Sequence, residues 1–241
     1  MNRLLLFVST LLLTAVSITA AKPSYESYAA KAERFFANSE WASAAAMYQV
    51  MIDMRPDIKS NYSRAIVAEG MRDGRDAQMA FFNGALQQGI PFDSLLTQVR
   101  RVSFQCGATD LYEHFLYNVR DTHQWMGRVV DGYLLDYYSF RCNGPQIVAY
   151  SRKMLEGLPD DPRYLLMLAR GYLLQGNMTQ AGEVYRQVLD INPDNFDALL
   201  YLGNYYLDTD PASPQGVDFL RRAYAVRPTP YVEKRLAALR N

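Results

Sequence analysis

The chain has 241 residues, with 25 Lys and Arg balanced by 25 Asp and Glu, 49% hydrophobic residues, 13% aromatics, two Cys and two His. That much apolar content describes a foldable globular chain. Zero formal charge argues against a dedicated nucleic-acid binder, which needs a basic stripe to displace counterions from phosphates, and collagen-like or disulfide-dense classes are excluded by the same composition.

Met1, Asn2 and Arg3 form a short basic start, Leu4 to Val16 is mostly apolar with two leucine triplets, and Ser17 to Ala21 supplies small residues. This order reads as a signal peptide over residues 1–21, cleaved after Ala20 or Ala21, with an uncleaved anchor as the alternative. The expectation is export, to a bacterial periplasm or the cell exterior. No comparable apolar run follows, so residues 22–241 are expected to form a body that does not insert in a membrane after cleavage.

The body opens with Tyr28, Ala32, Phe35, Ala44, Tyr48 and Met51 at helical spacing before Pro56, a helix hairpin over residues 25–58. Tyr62, Ala65 and Ile66, then Phe82 and Ala85, suggest a second hairpin with its turn at Asp73 and Gly74. Two further hairpins are expected from near Phe92 and Arg128, because Ser103 to Gly107 and Ser139 to Asn143 repeat a Ser-Phe-X-Cys pattern and each segment ends in a residue that tolerates a left-handed helix stop.

Cys106 and Cys142 sit at matching places in that pattern. In an exported chain with an even count, a disulfide is preferred over two small helix-end residues. Tyr133 and Tyr137 lie one helical turn apart and share a face, which suits either a stacking platform for a sugar or peptide or ordinary core packing.

The fifth hairpin, 162–195, is the clearest. Leu165, Leu168, Ala169 and Tyr172 keep helical spacing, Gly176 interrupts it, Ala181, Tyr185 and Val188 resume it, and Pro193 ends it. Leu199, Leu202, Gly203 and Tyr206, followed by Gly216, Leu220, Ala223 and Pro228, repeat the pattern over 196–229. Small residues at Ala169 and Ala181 let two helices approach closely. Residues 230–241 carry Val232, Leu236 and Leu239 on one face, a lone helix suited to cover the last hairpin.

With starts near 25, 59, 92, 128, 162 and 196, the chain resembles the tetratricopeptide-repeat (TPR) family, whose period is about 34 residues. The hairpins over 25–58, 162–195 and 196–229 carry the pattern best, and 59–161 is degenerate. Leu165 stands where the family often has Trp. The resemblance implies an all-α solenoid of about six TPR-like hairpins with a C-terminal capping helix. It also implies a non-enzymatic scaffold that binds a protein or peptide on the concave face built by the first helix of each hairpin.

By that resemblance the partner-facing residues are Glu33, Arg163, Met167, Arg170, Leu174, Tyr201 and Asn204. The family's carboxylate-gripping pattern is matched only at Asn204, with Leu200 where a Lys is needed, so that specificity is not implied. The alternative reading is a carbohydrate or cell-wall binder using Tyr133 and Tyr137. His114 and His123, nine apart, lack metal-ligand spacing. No nucleophile, phosphate-cradling or metal motif occurs, so the chain is read as having no catalytic residue, metal or cofactor.

Overall fold

A computed structural model describes residues 23–239, and the export leader expected over residues 1–21 lies outside them. The described residues form helices alone: α1 (Tyr25–Ala37), α2 (Trp41–Met54), α3 (Lys59–Gly70), α4 (Arg75–Gln87), α5 (Phe92–Gln105), α6 (Thr109–Thr122), a single 3-10 turn at Gln124–Met126, α7 (Gly127–Phe140), α8 (Gly144–Leu155), α9 (Pro162–Leu174), α10 (Met178–Ile191), α11 (Phe196–Thr209), α12 (Pro214–Val226) and α13 (Pro230–Ala238). Consecutive helices pair into six antiparallel hairpins and α13 packs on α12. This is an all-α solenoid.

Backbone chemistry at the turns makes each hairpin reverse quickly. Ser39, Asp73, Gly107, Cys142 and Gly176 hold positive φ, one at the tip of each of the first five hairpins. A single left-handed residue there ends the first helix and redirects the chain. Helix starts are capped by side chains that accept an orphan N–H: Asn143 for α8, Asp161 for α9, Asn195 for α11, Ser213 for α12 and Thr229 for α13. Pro at the first turn of α8, α9, α12 and α13 costs no hydrogen bond, because those N–H positions have no partner within the helix.

Small residues set the spacing between helices. Ala32 and Ala44, and likewise Ala169 and Ala181, are fully buried where the two helices of a hairpin meet. In the sixth hairpin the approach is closer: a Cβ on Gly203 would lie 2.7 Å from Leu220 Cδ2, and one on Gly216 would lie 3.1 Å from the Gly203 carbonyl oxygen. Larger side chains such as Tyr48, Phe82, Phe115 and Ile147 fill the volume between hairpins. Each contributes roughly 1.5–3 kcal/mol from burial.

The middle departs from even stacking. α5 packs chiefly on α3 rather than on its sequence neighbour α4, so α3 is enclosed by α2, α4 and α5. Accordingly Asn61, Tyr62, Ser63, Ala65, Ile66, Val67, Ala68 and Glu69 are all buried, covering nearly every side of the helix. Its polar groups find partners: Asn61 hydrogen-bonds the Tyr25 hydroxyl at 3.1 Å, and Gln78 Nε2 donates to the Ile66 carbonyl at 3.1 Å. The hydrophobic core divides into one cluster from Ala32 to Met154 and a second from Leu165 to Leu202.

Candidate functional site

The fourth hairpin positions the most exposed apolar surface of the odd-numbered helices. Along α7, Val130, Leu134, Leu135, Tyr137 and Tyr138 point inward and are buried. Val129, Tyr133, Asp136 and Phe140, spaced four, three and four apart, share a second stripe that stays outward. Val129 is 41% and Phe140 58% exposed, large fractions for side chains whose burial would be favourable.

Between this stripe and α9 lies a groove of about 400 Å³, lined by Val129, Gly132, Tyr133, Leu135 and Asp136 from α7 and Arg163, Tyr164 and Met167 from α9. The Tyr133 hydroxyl donates to the Asp93 carboxylate at 3.2 Å, tying α7 to the start of α5. Burial, with Asp93 next, raises the Tyr133 phenol above its usual range. At the other end of the stripe Phe140 packs on Phe104 with centroids 5.2 Å apart. The Arg100 guanidinium lies 5.3 Å from the Phe104 ring and 5.9 Å from that of Phe140. Beyond the Tyr133 to Asp93 link is a second depression, of about 360 Å³, lined by Lys59, Ser94, Thr97, Gln98 and Arg101.

The residues expected to face a partner divide into engaged and open ones. Arg163 is held by Asp161, with Nη2 to Oδ2 at 2.7 Å and Nε to Oδ1 at 3.1 Å, and that guanidinium holds the Asp161 carboxyl below its usual range. Met167 Sδ accepts from the Ser139 hydroxyl at 3.4 Å, and Arg170 donates to the Ser139 carbonyl at 3.4 Å. Leu174 is exposed at the end of α9.

Tyr201 stacks on Tyr185 at 4.4 Å and on Tyr205 at 6.0 Å, and burial pushes the Tyr185 phenol up to about 12. Asn204 is taken up by the capping helix, accepting from Tyr231 and from Arg235, each at 3.2 Å. Glu33 accepts from the Tyr48 hydroxyl at 3.1 Å and pairs with Arg64 at 2.9 Å. The structure therefore brings Arg163 and Met167 together with Tyr133 in one groove, and leaves Glu33, Tyr201 and Asn204 elsewhere.

Two expectations need correction. Tyr137 is only 1% exposed: its ring packs among Phe104, Tyr112 and Tyr138, and its hydroxyl donates to Asp110 at 3.1 Å. A helix stripe that satisfies its polar tip inside the fold cannot also serve as a stacking platform, so the paired Tyr133 and Tyr137 face is not available. The expected disulfide is not seen in the structure, where Cys106 and Cys142 stand unbridged. Cys106 caps α5 in right-handed conformation, whereas Cys142 sits at the left-handed tip with φ 51°. The equivalent of Cys142 is thus Gly107, and the two cysteines are out of register.

Val129, Asp136 and Phe140 were not among the residues expected to bind. The signal for them was present as a second stripe at helical spacing, masked by the stronger stripe of Leu134 and Tyr138. A larger depression, of about 710 Å³, lies between α2 and α4 over α3. Its walls combine the small residues Ala42, Ala45, Ala46, Ala77, Ala80 and Gly84 with Ile52, Tyr62 and Phe81, and its acids already have donors, Glu69 from Arg72 and Asp53 from Gln49. His123 bonds Asn83 at 2.7 Å, and among the described residues no three His, Cys, Asp or Glu side chains gather as metal ligands would.

Stacked helix hairpins with a groove between successive first helices define an α-solenoid of the repeat class, in which each unit packs on its neighbours. Within it residues 169–210, from the middle of α9 through α11, match the TPR repeat family model. No curated protein matches the chain by sequence.

Among solved structures, the C-terminal part of a TPR repeat-containing protein from Cytophaga hutchinsonii is 15% identical, with TM-score 0.50 over 81% of this chain and 77% of that one. It carries the argument for the fold. The pilF protein of Pseudomonas aeruginosa is 12% identical with TM-score 0.48 over 89% and 96%. A tetratricopeptide-repeat protein from Parabacteroides merdae is 11% identical with TM-score 0.44 over 92% and 86%.

Proposed function

We propose that the chain is a non-enzymatic scaffold that holds a protein or peptide partner against the first-helix face of the solenoid, with the groove between α7 and α9 as its centre. The observation that carries this is the exposure of Val129 and Phe140 on a helix whose other apolar residues are buried, beside Met167 and two tyrosines. Aromatic residues, Met and Arg are the side chains that dominate protein interfaces, and a fixed apolar stripe left in water is stabilised when a partner covers it. Residues 1–21 support a setting outside the cytoplasm, as an export leader.

Site-specific photo-cross-linking in the source cell tests the reading. A photoreactive residue at Met167 is expected to give a discrete adduct, and one at the exposed Gln49 of α2 is expected to give none. Adducts at Gln49 alone, or equal labelling at both positions, would place the interface elsewhere.

A further inference from the structure

The charges around the α7 and α9 groove are unevenly matched. Arg163 lines it, but its guanidinium is bound by Asp161 and lies 5.5 Å from the Tyr164 ring, so its charge is already balanced. Asp136 lines the same groove and has neither an ion pair nor a hydrogen-bond donor among the described residues, although it is exposed and one turn from Tyr133. The nearest acting cation, Arg100, is engaged over the Phe104 and Phe140 rings and reaches Asp136 only through space. Atoms packed around Asp136 raise its carboxyl above the usual value, with Arg100 opposing.

An unpaired carboxylate beside an aromatic face on an apolar floor suits one kind of guest: a cation at the end of an aliphatic stem. We propose that the groove takes a Lys or Arg side chain of the partner, with its stem on Val129 and Met167 and its charged head between the Asp136 carboxylate and the Tyr133 ring. The proposal rests on the first-helix face being the binding surface and names the chemistry read there. An acidic segment is disfavoured, because the cation that would greet it, Arg163, is occupied.

The test uses the full chain labelled with 15N and two small probes, Nα-acetyl-arginine amide and Nα-acetyl-glutamate amide. The arginine probe is expected to shift the Gly132, Tyr133 and Asp136 amides saturably, the glutamate probe to leave them still, and Asp136→Asn to weaken the arginine response by about tenfold, as loss of a charge-assisted contact should. No saturable shift, equal response to both probes, or an unchanged response in Asp136→Asn overturns the cation pocket. Asp136→Glu, which keeps the charge, should retain most of the response, and its failure to do so would also count against the proposal.

The broader reading fails separately, by the Met167 cross-link. An adduct at Met167 that persists in Asp136→Asn, together with a silent arginine titration, sinks the pocket and leaves the scaffold standing.

Discussion

At the tip of each of the first five hairpins one residue is left-handed, and the side chain found there decides what the turn costs. Gly107 and Gly176 adopt φ 71° and 75° without penalty, whereas Ser39, Asp73 and Cys142 place a Cβ against the following carbonyl, at a cost of about 1–2 kcal/mol. Part of that is recovered because a non-glycine residue loses less entropy on folding.

Cys142→Gly is therefore expected to stabilise the protein by about 0.5–1 kcal/mol, read as a higher urea midpoint at unchanged slope. If the two cysteines were bridged in solution, the same change would instead destabilise by about 2–4 kcal/mol, so the sign of the shift also reports on the free thiols. Sequence alone located the turns at Asp73, Gly107 and Gly176 through residue type. It misread the turn after α7, where Asn143 looked like the left-handed stop. Asn143 in fact caps α8, its side chain accepting from Gln146, and a cysteine carries the strain.

Between elements, the hairpins that follow the repeat pattern closely do so because backbone meets backbone. In the sixth, a methyl group on Gly203 would also lie 3.1 Å from the Leu220 backbone nitrogen, which cannot rotate away. Gly203→Ala is expected to cost about 1–3 kcal/mol by forcing α11 from α12, measured by thermal or urea unfolding. A loss near zero would mean the two helices separate without strain.

This explains why the outer hairpins were legible. Small residues at Ala32 and Ala44, Ala169 and Ala181, and Gly203 and Gly216 are dictated by close contact, and contact of that kind leaves a mark in one sequence. The middle hairpins use Leu95, Val99, Tyr112 and Phe115 at their crossings, where many apolar side chains fit equally well. The packing of α5 on α3 follows from that choice and leaves no periodic sign. The outward stripe on α7 was hidden for a related reason: which of two apolar stripes faces outward depends on where α5 and α9 sit.

Over the whole molecule, contacts join mainly neighbouring hairpins, and the core falls into two clusters that meet across α8 and α9. In such an array stability is nearly a sum of unit and nearest-neighbour terms, so local damage should stay local. The two clusters are unequal. The first contains α3, enclosed by helices on three sides, and a buried polar link in which Asp131, 2% exposed, pairs with Arg120 at 3.3 Å and Lys153 at 2.5 Å. The second runs only to Leu202, and beyond it the described chain closes with α13, a nine-residue helix whose one buried side chain is Val232.

Opening should therefore begin at α13 and proceed toward α11, with α3 last. Hydrogen exchange is expected to show the slowest amides in α3 and the fastest among the helices in α13. Gly203→Ala should speed exchange in α11, α12 and the adjoining α10 while leaving α3 and α5 unchanged. Uniform acceleration across all hairpins would show that the two clusters unfold as one unit, with the joint between α8 and α9 strong enough to transmit the damage.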